Sequence, residues 1–356
     1  MDLPRVSIII LNWNGWKDTV ECLESLYRIT YPNYDVIVID NGSKDDSVQK
    51  IKEYALGKIQ ISSKFFDYTS RNKPIRIFEI GEEDAKRGRF QKPFYEKTDP
   101  ERRMILIRNR DNYGFAGGNN VGIKFALSSL NSEYILLLNN DTVVHPDFLM
   151  ELVRIAEIDK RIGVVGPKIL YYKNPKTINS VGARVNWIFG SSENIGEGAE
   201  DHGQYDLVGE RNAILGACML IRKTSLFDAK LFDENFFILL EETDLCIRIK
   251  NHKYRVMYTP SAKVYHKGEQ SRKKMSSRSL YYSYRNRMLF IKNHFTSIRK
   301  IIGFSSNFFL VLFKGITLAL ESKIDYSIIV LKAYFDGILA RSQDDWRRGY
   351  ESMPNC

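Results

Sequence analysis

The chain has 356 residues, enough for one large domain with an appendage, or for two domains, to bury a substantial core. Hydrophobic residues make up 44% and charged residues 27%, which is ordinary for a soluble globular protein, and the sequence contains no internal repeat or low-complexity segment. The formal net charge of +10 is compatible with three kinds of partner: a nucleic acid, an anionic membrane surface or a phosphorylated substrate.

The four cysteines, Cys22, Cys218, Cys246 and Cys356, show neither CxxC nor metal-ligand spacing. This pattern indicates buried or incidental thiols in a reducing compartment and argues against a disulfide framework. The sequence starts with a strand-like run and not with a charged-then-apolar signal peptide. We therefore expect a cytoplasmic protein.

The first half of the chain alternates short apolar runs with amphipathic ones. The runs that predict strands are residues 6–11, 35–40, 104–109 and 134–139. Apolar residues at helical spacing predict helices at residues 16–28, 46–56 and 147–159. A further helix is predicted after a glycine-rich loop that begins near residue 114. Such alternation predicts an α/β fold with a parallel, doubly wound sheet, and ligands of these sheets bind beyond the carboxyl ends of the strands.

Two later regions depart from this alternation. Residues 58–103 are basic and aromatic and too long for a simple loop, so we interpret them as an insertion that forms a small hairpin. Beyond residue 160 the pattern is mixed, with strands predicted within 162–172, 216–227 and 254–266. From about residue 277 the chain is helical, basic and aromatic. Residues 304–322 approach membrane-span length but include Lys314, which favours an interfacial or core helix over a spanning one.

Polar side chains follow each of the first four predicted strands. The four strand ends read "NWNG" (12–15), "DNGS" (40–43), "RDNYGFAGGNN" (110–120) and "NND" (139–141). Any one of these ends alone is explained as an ordinary turn, because Asn, Asp and Gly dominate turns. Four neighbouring carboxyl ends with the same character favour a ligand site.

The glycine-rich stretch would allow close backbone approach, and exposed N–H groups there would suit a diphosphate. Its spacing matches neither GxGxxG nor GxxxxGK[ST], so neither an NAD enzyme nor a P-loop ATPase is supported. Asp141 is a hard oxygen ligand suited to a Mg²⁺ or Mn²⁺ ion that bridges phosphates. His266, at the end of a later predicted strand, is either a second ligand or a structural histidine.

Three acids, Glu241, Glu242 and Asp244, lie where the apolar run "FFILL" meets a predicted helix. One interpretation is ordinary capping, because acids are stabilised at a helix N-terminus. The other is catalytic: apolar surroundings raise the basicity of a carboxylate, which can then take a proton from an attacking hydroxyl.

These stretches resemble the family 2 inverting glycosyltransferases, which have the GT-A fold, and in particular a rhamnosyltransferase-like branch that builds polysaccharides and lipid-linked glycans. The resemblance covers roughly residues 5–290 apart from the insertion. It implies a catalytic domain at 1–275, with a Rossmann-like, mostly parallel sheet and helices on both faces. A C-terminal helical, basic and aromatic region at 276–356 would follow and associate with a membrane.

The resemblance also implies roles for individual residues. The residues expected at the nucleotide sugar are Asn12, Trp13, Asn14, Asp40, Asn112, Gly114, Phe115, Gly117, Gly118, Asn119, Asn140 and Asp141. Asp141 stands in the DXD motif and would bind the divalent cation together with His266. Glu242 would be the general base in a catalytic group with Glu241 and Asp244. Two positions depart from the family: Asn139 replaces the first DXD acid, and Glu242 replaces an Asp and reaches about 1 Å further.

The expected reaction transfers a sugar from a nucleoside-diphosphate sugar to a hydroxyl of a glycan or polyprenyl-linked acceptor, with inversion. A nucleotidyltransferase is one alternative, but "LNWNGWKD" lacks the basic phosphate-gripping motif that such an enzyme would want near its first strand. A catalytically silent sugar-nucleotide- or glycan-binding relative is another, suggested by Asn139 and Glu242. We expect no nucleic-acid partner. The enzyme would be peripheral on the cytoplasmic face of a membrane, unless the basic helices merely pack on the catalytic domain.

Overall fold

The computed structural model describes residues 3–268 and 276–339, and these residues build a central mixed sheet of eleven strands and a separate two-stranded hairpin. The strands are β1 (Val6–Asn12), β2 (Tyr34–Asp40), β3 (Arg76–Gly81), β4 (Arg103–Arg108), β5 (Tyr134–Asn139), β6 (Thr142–Val144), β7 (Ile162–Tyr171), β8 (Ile178–Ser180), β9 (Ala183–Asn186), β10 (Ser191–Asn194), β11 (Gly209–Glu210), β12 (Cys218–Arg222) and β13 (Arg255–His266). The α-helices are α1 (Trp16–Leu26), α2 (Ser47–Ala55), α3 (Glu82–Lys86), α4 (Lys92–Glu96), α5 (Gly114–Phe125), α6 (Phe148–Ala156), α7 (Lys223–Ala229), α8 (Glu241–Asn251), α9 (Ser277–His294), α10 (Ser297–Leu320) and α11 (Ile324–Leu339).

The sheet order brings the polar strand ends to one edge. The main path runs β11-β13-β7-β12-β5-β1-β2-β4-β3, and β5, β1, β2, β4 and β3 are parallel neighbours. In this register Asn12 lies beside Asp40, and Leu11 lies beside Asn139. Only β12, between β5 and β7, reverses direction within this central part of the sheet. The carboxyl ends of β1, β2, β4 and β5 therefore line one crevice, as expected for a parallel sheet.

The sheet is buried on both faces, which explains the near-continuous apolar strands. Ile8 and Ile10 belong to the apolar cluster on one face, which includes residues of α1 and α6. Ile9 and Ile37 belong to the cluster on the other face, which includes residues of α5 and α8. Full burial of each such side chain contributes about 1.5–3 kcal/mol. The predicted α/β fold with helices on both faces is confirmed.

The insertion at 58–103 is not a hairpin, and that prediction is wrong. Its strand β3 pairs in parallel with β4 and extends the sheet, and the short helices α3 and α4 form the crossover between them. Tyr95 Oη donates to Asp35 Oδ1 at 2.8 Å, and Arg103 Nη2 lies 3.1 Å from the same oxygen. These contacts tie the insertion to β2, so the insertion completes the sheet.

The predicted strand at 216–227 is also corrected in part. Only β12 is extended, and the chain turns into α7 at Lys223, where a predicted strand would have continued. Strands predicted within 162–172 and 254–266 are confirmed as β7 and β13. Cys22, Cys218 and Cys246 are buried free thiols, whereas Cys356 lies outside the described residues.

The C-terminal helices pack on the α/β part of the chain. Residues of α9, α10 and α11 share one apolar cluster with Phe236, Phe237 and Ile247. Helix α10, which contains most of the predicted 304–322 helix, is long and apolar enough to cross a membrane, and 28% of its most apolar window is buried in the protein. The core helix of a soluble protein can meet the same length and composition. The domain boundary predicted at 275/276 falls at the edge of residues 269–275, outside the described part of the chain.

Candidate active site

The first two strand ends are joined by a buried hydrogen-bond network. Asn12 Nδ2 donates to Asp40 Oδ1 at 3.0 Å and to Ser43 Oγ at 3.2 Å. Asn12 Oδ1 accepts from Thr19 Oγ1 at 2.8 Å. Because Asn12 is fully buried, it sets the position of Asp40 and is not itself exposed to a ligand.

Asn14 and Trp13 lie at the surface of the same edge. Asn14 has a φ of 51°, and its Oδ1 accepts from the backbone N–H of Lys44 at 2.8 Å, so it shapes the loop after β2. Trp13 is 48% exposed, a large fraction for an indole, and it lines a cavity described below. An exposed aromatic ring beside a crevice provides a surface on which a base or a sugar can stack.

Asn41 connects the ends of β2 and β4, and its role was missed in the sequence. Its Nδ2 donates to Asn112 Oδ1 at 3.0 Å, and its Oδ1 accepts from Asn109 Nδ2 at 3.0 Å. Gly42 has a φ of 73°, and a Cβ there would lie 2.6 Å from the carbonyl carbon of Asp111. The Asn-Gly pair after β2 was the signal for this contact, since it marks a close backbone approach.

Two cavities open at this edge of the sheet. The first, of about 350 Å³, is lined mainly by apolar side chains together with Asn41, Asn112 and Arg278, and its apolar lining includes Leu11, Trp13, Phe115, Phe237, Ile238 and Leu239. The second, of about 490 Å³, is polar and is lined by Asp40, Gly42, Ser43, Lys44, Glu79, Ile80, Gly81, Arg108, Asn109 and Arg110. An apolar and a polar cavity side by side offer space for two chemically different ligand parts.

The glycine-rich stretch is helical and not a loop, so that expectation is corrected. Helix α5 begins at Gly114, and Gly117, Gly118 and Asn119 lie buried within its first turns. A Cβ at Gly118 would approach Leu11 Cδ1 to 2.6 Å. These glycines therefore allow a helix to pack closely on β1, and buried helical N–H groups at these positions are not presented to a diphosphate.

Asp141 and His266 meet, as the sequence predicted from two distant motifs. Asp141 sits in the turn between β5 and β6, and its Oδ1 lies 3.3 Å from His266 Nε2. Asp141 Oδ2 accepts from the N–H of Gly268 at 3.2 Å. Burial disfavours the charged carboxyl, but the hydrogen bond and charge of His266 outweigh it and lower the pKa of Asp141. Asp141 is therefore a stable carboxylate at neutral pH.

The chemistry of this pair fits a divalent cation. His266 Nδ1 lies 2.8 Å from Asn179 Oδ1, which can accept the Nδ1 proton, so a cation between the pair would replace the proton through which Nε2 contacts Asp141. A hard carboxylate oxygen and an imidazole nitrogen are suited to Mn²⁺ or Mg²⁺. Within residues 3–268 and 276–339 no group of three or more His, Cys, Asp or Glu side chains could hold an ion. The pair would therefore need oxygens from a diphosphate or water as further ligands.

The other two residues of the polar turn have structural contacts. Asn140 Nδ2 donates to Thr19 Oγ1 at 3.0 Å and to the carbonyl of Gly15 at 3.3 Å, which fixes the turn against α1. The backbone N–H of Asn139 donates to the carbonyl of Ala217 at 2.9 Å. Asn139 and Asn140 thus hold the turn in place, and Asp141 is the residue of this turn that contacts His266.

The acid pair at the start of α8 has raised pKa values. Burial raises the pKa of Glu242 to about 7. Burial, and then the charge of Glu242, raise the pKa of Glu241 well above its ordinary value, and Glu241 Oε2 has no hydrogen-bond partner. Glu242 is partly exposed to solvent, whereas Glu241 is buried. Glu242 is therefore the acid of the pair that can exchange a proton with a ligand near pH 7.

Asp244 is engaged elsewhere and is not available as a proton acceptor. Its Oδ1 lies 2.7 Å from His294 Nε2 on α9, and its Oδ2 accepts from Arg248 Nε at 2.8 Å. Asp244 and the His294 side chain are both buried. This cluster fixes α8 to the C-terminal helices, a role that spacing along the sequence could not indicate.

Glu242 lies near a residue that lines the apolar cavity. Gly216 separates Glu242 from Phe115: a Cβ built on this glycine would lie 3.6 Å from Glu242 Cβ and 3.3 Å from Phe115 Cζ. Phe115 lines the cavity, so Glu242 lies near a residue of its wall. The structure therefore brings together one strand-end crevice, one candidate metal pair and one acid with a pKa near neutrality.

Comparison with known families decides what kind of protein has this arrangement. The family described as Glycosyltransferase like family 2 matches residues 96–287, more than half of the chain, and the family described as Glycosyl transferase family 2 matches residues 7–72. This chain belongs to glycosyltransferase family 2. The resemblance stated from the motifs is confirmed, and the assignment to a rhamnosyltransferase-like branch stays a prediction.

Individual relatives are distant from this glycosyltransferase. It is 25% identical over 238 residues to the low-salt glycan biosynthesis hexosyltransferase Agl10 of Haloferax volcanii, an alignment that covers 66% of this chain and 76% of Agl10. It is 26% identical over 278 residues to the uncharacterized protein y4gI of Sinorhizobium fredii, covering 76% of this chain but 25% of y4gI.

Solved structures support the GT-A fold of this glycosyltransferase. GalNAc-T7, solved with UDP, GalNAc and Mn²⁺, superposes with a TM-score of 0.55 at 15% identity, covering 82% of this chain and 48% of that one. The mannosyltransferase PcManGT of Pyrobaculum calidifontis, in complex with GDP-Man and Mn²⁺, superposes with a TM-score of 0.53 at 12% identity, covering 96% and 89%. At these identities the similarity concerns the fold alone. A GT-A fold with added C-terminal helices is thus confirmed.

Proposed function

We propose that this glycosyltransferase moves a sugar from a nucleoside-diphosphate sugar to a hydroxyl of a glycan or polyprenyl-linked acceptor, with inversion at the anomeric carbon. The observation that carries the proposal is Glu242: a partly exposed carboxyl with a pKa of about 7, near Phe115, which lines the apolar cavity. A group of this pKa is half ionised near neutral pH, which suits general-base catalysis.

The donor would occupy the polar cavity and the neighbouring strand ends. Asp40, held by Asn12 and Ser43, would accept hydrogen bonds from the base or ribose, and the cations of Arg108 and Arg110 lie in the same cavity. A divalent cation bound by Asp141 and His266 would supply positive charge to the diphosphate as it leaves. The two structural relatives were solved with UDP and with GDP-Man, and both molecules contain a nucleoside diphosphate.

The acceptor hydroxyl would approach from the apolar cavity. Glu242 would take its proton while the hydroxyl oxygen forms the new bond to the anomeric carbon and the bond to the diphosphate oxygen breaks. Attack from the face opposite the leaving group inverts the anomeric configuration. Trp13 and Phe115 line this cavity and would exclude water and contact the apolar face of the acceptor or of the sugar.

A panel of nucleotides and sugar nucleotides tests the proposal. At a concentration of 100 times its Kd, a nucleoside diphosphate that binds the folded protein is expected to stabilise it by about 2.7 kcal/mol, measured as a rise in Tm with and without Mn²⁺. The corresponding sugar nucleotide is expected to release nucleoside diphosphate when incubated with the enzyme. Binding without any turnover would instead identify a catalytically silent relative, and pyrophosphate release would identify a nucleotidyltransferase.

We also propose that the C-terminal helices bind an anionic bilayer surface, which would place the enzyme peripherally on the cytoplasmic face. Helix α10 carries Arg299, Lys300 and Lys314 and contains no acidic residue. Its buried stripe faces α9 and α11, whereas its other side is apolar and exposed. The large exposed apolar residues of α10 are Ile298, Ile301, Ile302, Phe309, Leu312, Phe313, Ile316 and Leu320. An apolar face flanked by cations matches the acyl and headgroup layers of an anionic membrane.

Exchange of two exposed rings on α10 tests the membrane proposal. Phe309 and Phe313 are 69% and 70% exposed, and the double variant Phe309→Gln/Phe313→Gln is expected to weaken binding to phosphatidylglycerol-containing vesicles at least about tenfold. Phe94→Gln/Phe227→Gln, which changes two equally apolar rings on other helices, is the matched control and should bind like the wild type. Vesicle co-sedimentation measures both. The proposal would be contradicted if the wild type did not bind the vesicles. It would also be contradicted if the wild type formed a dimer that the α10 variant disrupts.

A further inference from the structure

The backbone that leads into the acid pair has an unusual conformation. Residues 236–240, the entry segment, precede Glu241 directly. Phe237 has φ 60° and ψ −63°, and Leu239 and Leu240 have φ values of 74° and 72°. The backbone N–H of Ile238 donates to the carbonyl of Phe236 at 2.6 Å and closes a three-residue turn around Phe237. Turns of this kind with positive φ are rare and strained, so the surrounding structure must hold the segment in place.

One side chain contacts most of the carbonyl groups in this segment. Asn286 Nδ2, on α9, lies 2.8 Å from the carbonyl oxygens of Phe236, Ile238 and Leu239. Since an amide nitrogen has two hydrogens, the three carbonyls share them. Asn286 is fully buried, and its Oδ1 accepts from Arg285 Nη1 at 2.9 Å, which fixes the orientation of the amide. Asn286 therefore satisfies carbonyl groups that the unusual backbone turns away from regular partners.

The opposite side of the entry segment is bound to α5. The carbonyl of Phe237 accepts from the backbone N–H groups of Phe115 at 2.7 Å and Ala116 at 3.2 Å. Gly114 has a φ of 69°, and a Cβ there would lie 2.5 Å from the same carbonyl oxygen. The segment is thus held between α9 and the first turn of α5, which borders the apolar cavity.

The same segment sets the start of α8. The carbonyl of Leu240 accepts from the N–H of Asp244 at 2.8 Å, in the first turn of the helix that carries Glu241 and Glu242. A shift of the entry segment therefore moves the acid pair. A proton acceptor must come within about 2.6–3.2 Å of the acceptor hydroxyl, and a misplacement of about 1 Å can lower a rate about 100-fold.

We propose that Asn286 is a positioning residue for the Glu241–Glu242 pair, and that it acts by holding the entry segment in its strained conformation. This inference rests on the proposed role of Glu242. It assigns to a C-terminal helix a function in the transfer step that is independent of any contact with a membrane.

Two variants of Asn286 test the inference. Asn286→Asp keeps the size of the side chain but replaces the donor group, and Asn286→Ala removes the contacts without adding an acid. Both are expected to lower kcat about 10- to 100-fold with less than a threefold change in nucleotide affinity. The matched control is Asn307→Asp: Asn307 is also fully buried and donates to the carbonyls of Phe189 and Gly303, but it lies on α10 and does not contact the entry segment. Its kcat should remain within threefold of the wild type.

Amide hydrogen exchange of residues 233–242, measured by mass spectrometry, gives a readout that does not depend on activity. Exchange is expected to accelerate in both Asn286 variants and to remain unchanged in Asn307→Asp. Folded Asn286 variants with wild-type kcat, or with wild-type exchange in this segment, would overturn the inference. If the wild type turns over no sugar nucleotide, the proposed function fails, and the exchange experiment still decides whether Asn286 holds the segment.

Discussion

Replacing Glu242 by glutamine is expected to lower the rate of sugar transfer by about 10²- to 10⁴-fold, because the amide cannot accept the proton of the attacking hydroxyl. Nucleotide binding should persist, since the substitution leaves Asp40, Asp141 and His266 in place. The rate is measured as nucleoside diphosphate released under saturating donor and acceptor, and binding is measured by calorimetry.

Glu241→Gln is the matched control for this substitution. Burial and the charge of Glu242 raise the pKa of Glu241 well above its ordinary value, which favours its protonated form, and glutamine resembles that form. The control should therefore retain most of the activity. If Glu241→Gln abolished transfer while Glu242→Gln did not, the general base would be Glu241.

The pKa of Glu242 also sets the direction of the pH dependence. Burial raises this pKa to about 7, so the basic form that accepts a proton is in the minority at pH 6 and dominates at pH 8. The wild-type kcat is expected to rise with pH through about 7 and then level off. The residual rate of Glu242→Gln should lack this rise.

The raised pKa of Glu242 also makes the stability of the folded protein depend on pH, and this effect runs opposite to the effect on kcat. The unfolded chain releases the Glu242 proton near the ordinary glutamate pKa, whereas the folded chain retains it until about pH 7. The contribution of this group to stability therefore falls as pH rises between these two values. Glu242→Gln should be at least as stable as the wild type at pH 8, so a loss of activity in this variant cannot be attributed to unfolding.

The second large effect is expected for Asp141→Asn. Loss of the carboxylate leaves His266 as the remaining ligand of the pair, and we expect a decrease of about 10²- to 10³-fold in transfer, comparable to removal of one group that stabilises developing negative charge. The gain in nucleoside diphosphate affinity on adding Mn²⁺ should disappear as well. Calorimetric titration with and without Mn²⁺ measures this gain.

Asp147→Asn is the control for Asp141→Asn, because it makes the same chemical change at a half-exposed carboxylate that contacts His145 and Thr30. Its transfer rate and Mn²⁺ dependence should equal those of the wild type. A wild-type nucleotide affinity that is insensitive to Mn²⁺ and Mg²⁺, and an activity that survives chelation by EDTA, would exclude a metal role for Asp141 and His266.

Much of the catalytic fold is predictable from local patterns, and the exceptions have physical reasons. The apolar runs at 6–11 and 134–139 became β1 and β5 because strands buried on both faces need continuous apolar residues. The glycine-rich stretch was predicted as a loop from its composition, but burial of α5 against Leu11 overrode that preference. The insertion is part of the sheet because its strand β3 pairs with β4. Local sequence patterns do not specify which strands pair.

The sequence by itself determined which residues meet at the strand ends, because parallel strands in one sheet must present their carboxyl ends to the same edge. It also indicated Asp141, His266 and Glu242, since these lie in family motifs. Only the tertiary structure decided how the neighbouring polar residues are used. Asn12 became a buried support for Asp40, and Asp244 became the partner of Arg248 and His294. Burial and distant hydrogen-bond partners decide between a ligand contact and a support, and both arise from packing between elements far apart in the chain.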